Sequence, residues 1–213
     1  MPAPADDALA ADPDPSGLLE QALRVLAAQG PAAALPLLDR ALERAPDARH
    51  GATHGRVTRG LVLLDQGEFS RALHDFQAQV EGEPRDPAGW LGLGRARAGL
   101  REHGAALLAF DRALALREGW SDAHWHRASS RAALQELAGA VQDLDAALCL
   151  LPAYAAGTSR EARICMARAQ LRLVVEDRSG AREDLVRAAA IFDARGDAAG
   201  RDRVIAMAHA LGL

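Results

Sequence analysis

The sequence predicts an all-α protein of stacked helix pairs, about five pairs closed by one C-terminal helix. Three observations carry this. Segments beginning at Thr53, Pro87 and Ser121 align at a period of 34 residues. Within that alignment small and large residues hold fixed columns: Gly60, Gly94 and Ala128; Ala72, Ala106 and Ala140; Phe76, Phe110 and Leu144; Gln79, Ala113 and Ala147; with Pro84, Glu118 and Pro152 closing the units. The composition agrees. Of 213 residues 49% are hydrophobic, only 4% are aromatic and 25% are charged, with abundant Ala and Leu, the strong helix formers.

The elements follow in chain order. Residues 1–15 read as a flexible, acidic, Pro-rich tail. Ala34, Leu38, Ala41 and Pro46 repeat the second-helix columns, but Pro46 stands 38 residues before Pro84, which places four extra residues near Asp47–Ala52. In the unit from Pro87 the helices are expected at Ala88–Leu100 and His103–Arg117. A Gly or Ala facing an Ala lets two backbones approach, and the large residue then fills the gap towards the next unit. On that register Gly94→Val forces the helices apart, whereas Gly94→Ala is tolerated because Ala128 shares its column. Downstream, Ala181, Leu185 and Ala188 continue the columns, with Ala181 lying 41 residues after Ala140. The seven extra residues make about two helical turns and predict a long first helix, Ser159–Val175, with Thr158-x-x-Glu161 as its capping box. A last helix, Asp197–Leu211, carries Val204, Ile205, Ala208 and Leu211 on one side and covers the open end. The expected units are 16–48, 53–86, 87–120, 121–154 and 155–195, with a cap over 197–212, all within one repeat domain, 16–213.

The unit containing Trp90-x-x-Leu93-Gly94, then Ala106-x-x-x-Phe110, resembles the tetratricopeptide repeat, whose pattern is W-x2-L-G-x2-Y, A-x3-F and P. It departs from the pattern at Arg97, where the family has Tyr, and at Glu118, where it has Pro. The resemblance implies a right-handed α-solenoid that is no enzyme and needs no cofactor, binding a protein or peptide segment in its concave groove. The first helix of each unit would line that groove, with His54, Val57, Leu61 and Leu64 in unit two, Leu91 and Arg95 in unit three, Asp122, Trp125 and Ser129 in unit four, and Met166 and Gln170 in unit five. The family's Trp slot falls on Trp90, which is therefore expected to pack, and on His124. Trp125, one position on, is turned by about 100° and expected to face the groove. Members of the family that hold chaperone C-termini use a clamp of Lys, Asn and Arg; this chain has neither Lys nor Asn. Self-association is the alternative, followed by a regulatory role beside an enzyme encoded elsewhere.

The remaining residues point to little chemistry. His124 and His126 stand about 200° apart on a helix and cannot share a metal. His50 and His54 have i,i+4 spacing but no third ligand. Cys149 and Cys165 lack the C-x-x-C spacing and are expected to be small core residues. Gly92-x-Gly94-x-x-Arg97 has no preceding strand and does not read as a phosphate loop. The net charge of −4 is not the footprint of a nucleic-acid binder, although Arg160, Arg163, Arg168 and Arg172 cluster. No apolar run reaches the ~18 residues of a membrane span, and the N-terminus lacks a signal-peptide pattern. A cytoplasmic protein from a GC-rich, bacterial genome is expected.

Overall fold

The computed structural model describes residues 14–44 and 51–212, and of residues 51–54 the backbone alone. Most of the expected tail, Pro46, His50 and the side chain of His54 lie outside the described residues. The chain divides into two compact units, one through Pro84 and one from Arg85. The first holds α1 (Pro15–Gln29), α2 (Pro31–Arg44), α3 (Gly51–Asp65) and α4 (Phe69–Gly82). The second holds α5 (Pro87–Gly99), α6 (His103–Leu116), α7 (Ser121–Ala133), α8 (Leu137–Cys149), α9 (Ser159–Val174), α10 (Arg178–Ala194) and α11 (Ala198–Ala210). Among the described residues there is no strand, and no helix is long and apolar enough to cross a membrane. Odd and even helices pair in order, α1 with α2, α3 with α4, α5 with α6, α7 with α8 and α9 with α10. Each even helix within a unit also packs on the odd helix that follows it.

Local chemistry sets the helix ends. Asp14 and Asp86 precede a proline at the first helical position and accept from backbone amides: Asp14 from Gly17 at 2.8 Å, and Asp86 from Ala88 at 2.9 Å and Gly89 at 3.2 Å. Asp177 and Asp197 cap α10 and α11 through Gly180 and Gly200. The turns inside the four pairs from α3–α4 to α9–α10 repeat one bond, from the amide of Glu68 to the carbonyl of Leu63, Glu102 to Arg97, Glu136 to Arg131 and Asp177 to Arg172, at 2.7–2.9 Å. Each is a Schellman turn, and the residue before each acid is left-handed: Gly67, Arg101, Gln135 and Glu176, with φ of 64–77°.

The capping box at α9 differs from expectation. The Thr158 hydroxyl donates to the Ala155 carbonyl at 2.6 Å, and Glu161 accepts from the Gly157 amide at 2.6 Å, one residue before the cap. A 3-10 turn at Ala153–Ala155 supplies that carbonyl. The seven-residue insertion is therefore shared between this turn and α9, which has 16 residues against 13 in α7.

The core repeats a contact between a small residue on the first helix and a large one sixteen positions on. The pairs are Ala22 with Leu38, Gly60 with Phe76, Gly94 with Phe110, Ala128 with Leu144 and Ala169 with Leu185, all buried. A Cβ on Gly60 would fall 2.7 Å from the Phe76 ring, and one on Gly94 would fall 2.4 Å from Phe110. The large residue thus seats on the small residue of its own pair and also packs towards the next, as Phe110 does with Ala123 and His126 of α7 and Leu144 with Ile164 of α9. The sizes also compensate: glycine meets phenylalanine and alanine meets leucine. In α11, Gly200 again receives a ring, that of Phe192 from α10.

This corrects the expected tolerance of Gly94→Ala, because Ala fits its column only where the partner is leucine. Gly94→Ala should destabilise by about 1–3 kcal/mol through overpacking. Phe110→Leu added to it rebuilds the Ala128–Leu144 pair and should restore part of the loss. Thermal melting of both variants checks this; a double variant no better than Gly94→Ala would reject the pairing.

Candidate functional site

The buried charges mark the polar residues that are committed to the fold. Arg59 on α3 donates to Asp75 on α4 through Nε at 2.9 Å and Nη2 at 2.6 Å, and to Asp39 on α2 through Nη1 at 2.9 Å. Arg127 on α7 holds Asp143 on α8 at 2.9 and 2.6 Å, and Asp111 on α6 at 2.7 Å. Arg168 on α9 holds Asp184 on α10 at 2.9 and 2.5 Å, and Asp145 on α8 at 2.6 Å. One guanidinium thus spans three helices in each case. Asp75, Asp143 and Asp184 are 1–2% exposed. The carboxylates raise the pKa of all three arginines against the opposing effect of burial. Asp143 is held below its usual range by hydrogen bonds from Arg127 and His124, although burial pushes it up.

A turn later on the first helices, Arg97, Arg131 and Arg172 donate to the carbonyls of Ala105, Gly139 and Gly180 at 3.1–3.3 Å. Arg97, a departure from the family pattern in the sequence, is therefore one of three equivalent inter-helix braces. Of the arginine cluster at 160–172, Arg168 and Arg172 are committed to Asp184. The two histidines flanking Trp125 have different partners, as the helix period requires. His124 Nδ1 lies 3.0 Å from Asp143, while the His126 ring stacks on Trp125 at 5.3 Å and on Phe110 at 6.2 Å. Cys165 is buried, and burial pushes its thiol up to about 11. Cys149, expected in the core, is exposed because it ends α8.

The expected groove residues are divided by burial. In the first unit Leu61 is 42% exposed and Val57 half-buried, but Leu64 is buried. In the second unit Leu91 is also buried, packed with Ala106, Phe110 and Ala123. Leu64 and Leu91 are thus packing residues, a correction to their groove assignment: at these positions the side chain turns into the contact with the neighbouring helices. Arg95, Asp122, Trp125 and Met166 are half-buried, and Ser129 and Gln170 are exposed. Trp90 and Trp125 do not separate as core and surface. Both are half-buried, Trp90 against the cluster of Leu91 and Phe110, and Trp125 against Ala128, Leu144 and Ile164.

The structure brings part of this set together on α5, α7 and α9. Asp122 pairs with Arg160 at 2.7 Å, joining α7 to α9. Ser129 donates to the Trp125 carbonyl at 3.3 Å. His126, beside Trp125, is lowered to about 3, first by burial and then by the Arg95 and Arg160 cations. His126 and Arg160 were not among the expected groove residues. The signal available for them was position alone, next to Trp125 and one turn before Arg163.

No family model matches the sequence, and no curated protein matches it. Solved structures do match. A thermophilic TPR protein of Thermus thermophilus, TTC0263, has 23% identity and a TM-score of 0.69, over 90% of this chain and 97% of that one. MamA of Desulfovibrio magneticus RS-1 has 15% identity and a TM-score of 0.69, over 85% and 97%. YrrB, described as a TPR protein with an unusual peptide-binding site, has 20% identity and a TM-score of 0.61, over 89% and 91%. The fold is that of the tetratricopeptide repeat proteins.

His126 makes stability depend on pH. Its folded pKa lies below the unfolded value of about 6.5, so between those values the unfolded chain takes up a proton that the folded chain refuses. Stability contributed by the neutral ring is complete above about pH 6.5 and falls as the pH drops towards 3. The melting temperature should therefore fall less steeply from pH 7 to pH 5 in His126→Gln than in the parent; equal slopes would contradict the assignment.

Proposed function

We propose that the chain is a non-enzymatic scaffold that binds a peptide or protein segment on the face of α5, α7 and α9. The observation that carries this is Trp125. It is a large aromatic, half-buried, held from behind by Leu144 and Ile164 and from the side by the His126 ring. A preformed aromatic of this kind is a common anchor at interfaces. Met166 and Gln170 on α9 and Arg95 on α5 extend the face on either side. The acids most deeply buried, by contrast, are engaged with arginines across helices, Glu161 with Arg187 included. That commitment fits a structural role for them rather than proton transfer. The peptide-binding site described for YrrB, a fold neighbour, supports the same reading by analogy. In the first unit α3 offers Val57 and Leu61 at the corresponding positions.

Self-association is the second reading, and one observation favours it. Leu185, Val186, Ala189, Val204, Ile205 and Ala208 line an apolar groove of about 250 Å³ between α10 and α11. Val186 and Ile205 are 65% and 44% exposed there. Light scattering across a concentration series separates the readings, since a chain that stays monomeric excludes the second.

Trp125→Ala should weaken a captured partner by about 2 kcal/mol or more. Trp90→Ala should lower the melting temperature without a selective loss of binding. Capture from native lysate beside thermal melts of both variants checks this. Partner binding unchanged by Trp125→Ala would remove α7 from the site.

A further inference from the structure

We infer that the groove between α10 and α11 is the interface of a dimer, closed by the same groove of a second copy about a two-fold axis. Self-association, the second reading above, is its premise; the contacts and the symmetry go beyond it. Val186 marks the surface. In the four preceding second helices the residue after the large core residue is polar: Asp39, Gln77, Asp111 and Asp145. Each of the three acids takes the arginine of the first helix that follows. Gln77 stands before α5, where Leu93 replaces that arginine. On α10 the position is Val186, 65% exposed. Its side chain offers nothing to a cation. It lies instead beside Ile205 in the apolar groove, whose lining includes one charged residue, Arg182. Apolar side chains left open to water side by side are satisfied by a second apolar surface.

Charge complementarity makes a second copy the occupant. The groove has two unlike ends. At one, Arg178 donates to the Gly212 carbonyl at 3.1 Å, which sets the start of α10 beside the end of α11. Arg182 lies at this end and has no acidic partner among the described residues. Glu183, its neighbour in sequence, does not line the groove. His209 stands here too, four residues after Ile205 and so on the same side of α11. At the other end Arg201 lies 3.3 Å from both Asp193 and Asp202, one guanidinium between two carboxylates. Asp202 is three residues before Ile205, on that same side, and its side chain is 68% exposed. A two-fold axis across the middle of the groove exchanges the ends. The surplus acid of each copy, Asp202, then comes to the Arg182 and His209 of the other, and Ile205 and Val186 of the two copies cover one another. Such self-complementarity is what an isologous contact requires. With 13 residues α11 is about 20 Å long. The shared face is therefore at the small end of specific interfaces, and association is expected on the order of 10–100 µM.

The test is sedimentation of the full chain from about 5 to 500 µM, with thermal melts to show that each variant is folded. The parent should pass from monomer to dimer and stop there. Ile205→Glu should stay monomeric, and Val186→Glu repeats the test at a more exposed position should the first variant perturb α11. Arg182→Glu and Asp202→Arg should each weaken the dimer about fivefold or more. The double variant Arg182→Glu with Asp202→Arg restores opposite charges across the axis and should recover most of the affinity. Trp125→Ala should associate as the parent does. A parent that stays monomeric throughout overturns the dimer and the self-association reading together. Association that survives both Ile205→Glu and Val186→Glu overturns this surface and leaves self-association standing. A mass that grows beyond the dimer, or charge reversals that fail to restore one another, overturns the two-fold arrangement.

Discussion

A buried aspartate held by an arginine that also reaches back to the preceding helix is the interaction on which the stack depends. Arg59, Arg127 and Arg168 each close it. Burying a carboxylate is costly unless it is paired and its lone pairs are filled, and here the Nε–Nη2 fork fills both oxygens. The remaining Nη1 takes an acid on the helix before. The bond inside a pair and the bond between pairs are thus made by one rigid group, which fixes how far each first helix rotates. The pair at α5 and α6 shows that the arrangement is replaced as a whole. Leu93 and Ala109 hold the arginine and aspartate positions, both buried.

The close contact of small and large residues solves the other half of the packing problem. A ring fully buried against a first helix needs a backbone without a Cβ beneath it, and Gly60 and Gly94 provide one. Where the partner shrinks to Leu144 or Leu185, alanine returns. The two spacings coincide at sixteen residues because both link neighbouring positions on the same two helices. Packing and charge therefore enforce one register.

The helix pairs were legible in the sequence because the small and large columns keep their period even in an Ala-rich chain. The expected ends at His103–Arg117 and Ser159–Val175 lie within one residue of α6 and α9. The charge bridges were not legible. With all 25 basic residues arginines, nothing in the sequence singles out Arg127 or Asp143 from the other charges. Arg97 read as a lapse from a pattern because a tyrosine-shaped expectation hid a hydrogen bond to a backbone carbonyl. At the candidate site helix rotation predicted a packed Trp90 and an outward Trp125, whereas both are half-buried against core clusters. The burial of Leu64 and Leu91 was not legible either, because the depth of a side chain depends on how closely the neighbouring helices approach. His126 escaped notice because its partners, Phe110, Arg95 and Arg160, come from three different helices.

The claim that these charges hold the register rather than serve chemistry is tested most directly by a double-variant cycle at Arg59 and Asp75, read by urea denaturation. Arg59→Leu alone leaves Asp75 buried without its partner and should cost about 3–5 kcal/mol. Adding Asp75→Ala recreates the Leu93–Ala109 pair, and Arg71 still holds Asp39 at 3.1 Å. Most of the lost stability should return in the double variant. Costs that simply add, with the double variant less stable than Arg59→Leu, would contradict the account.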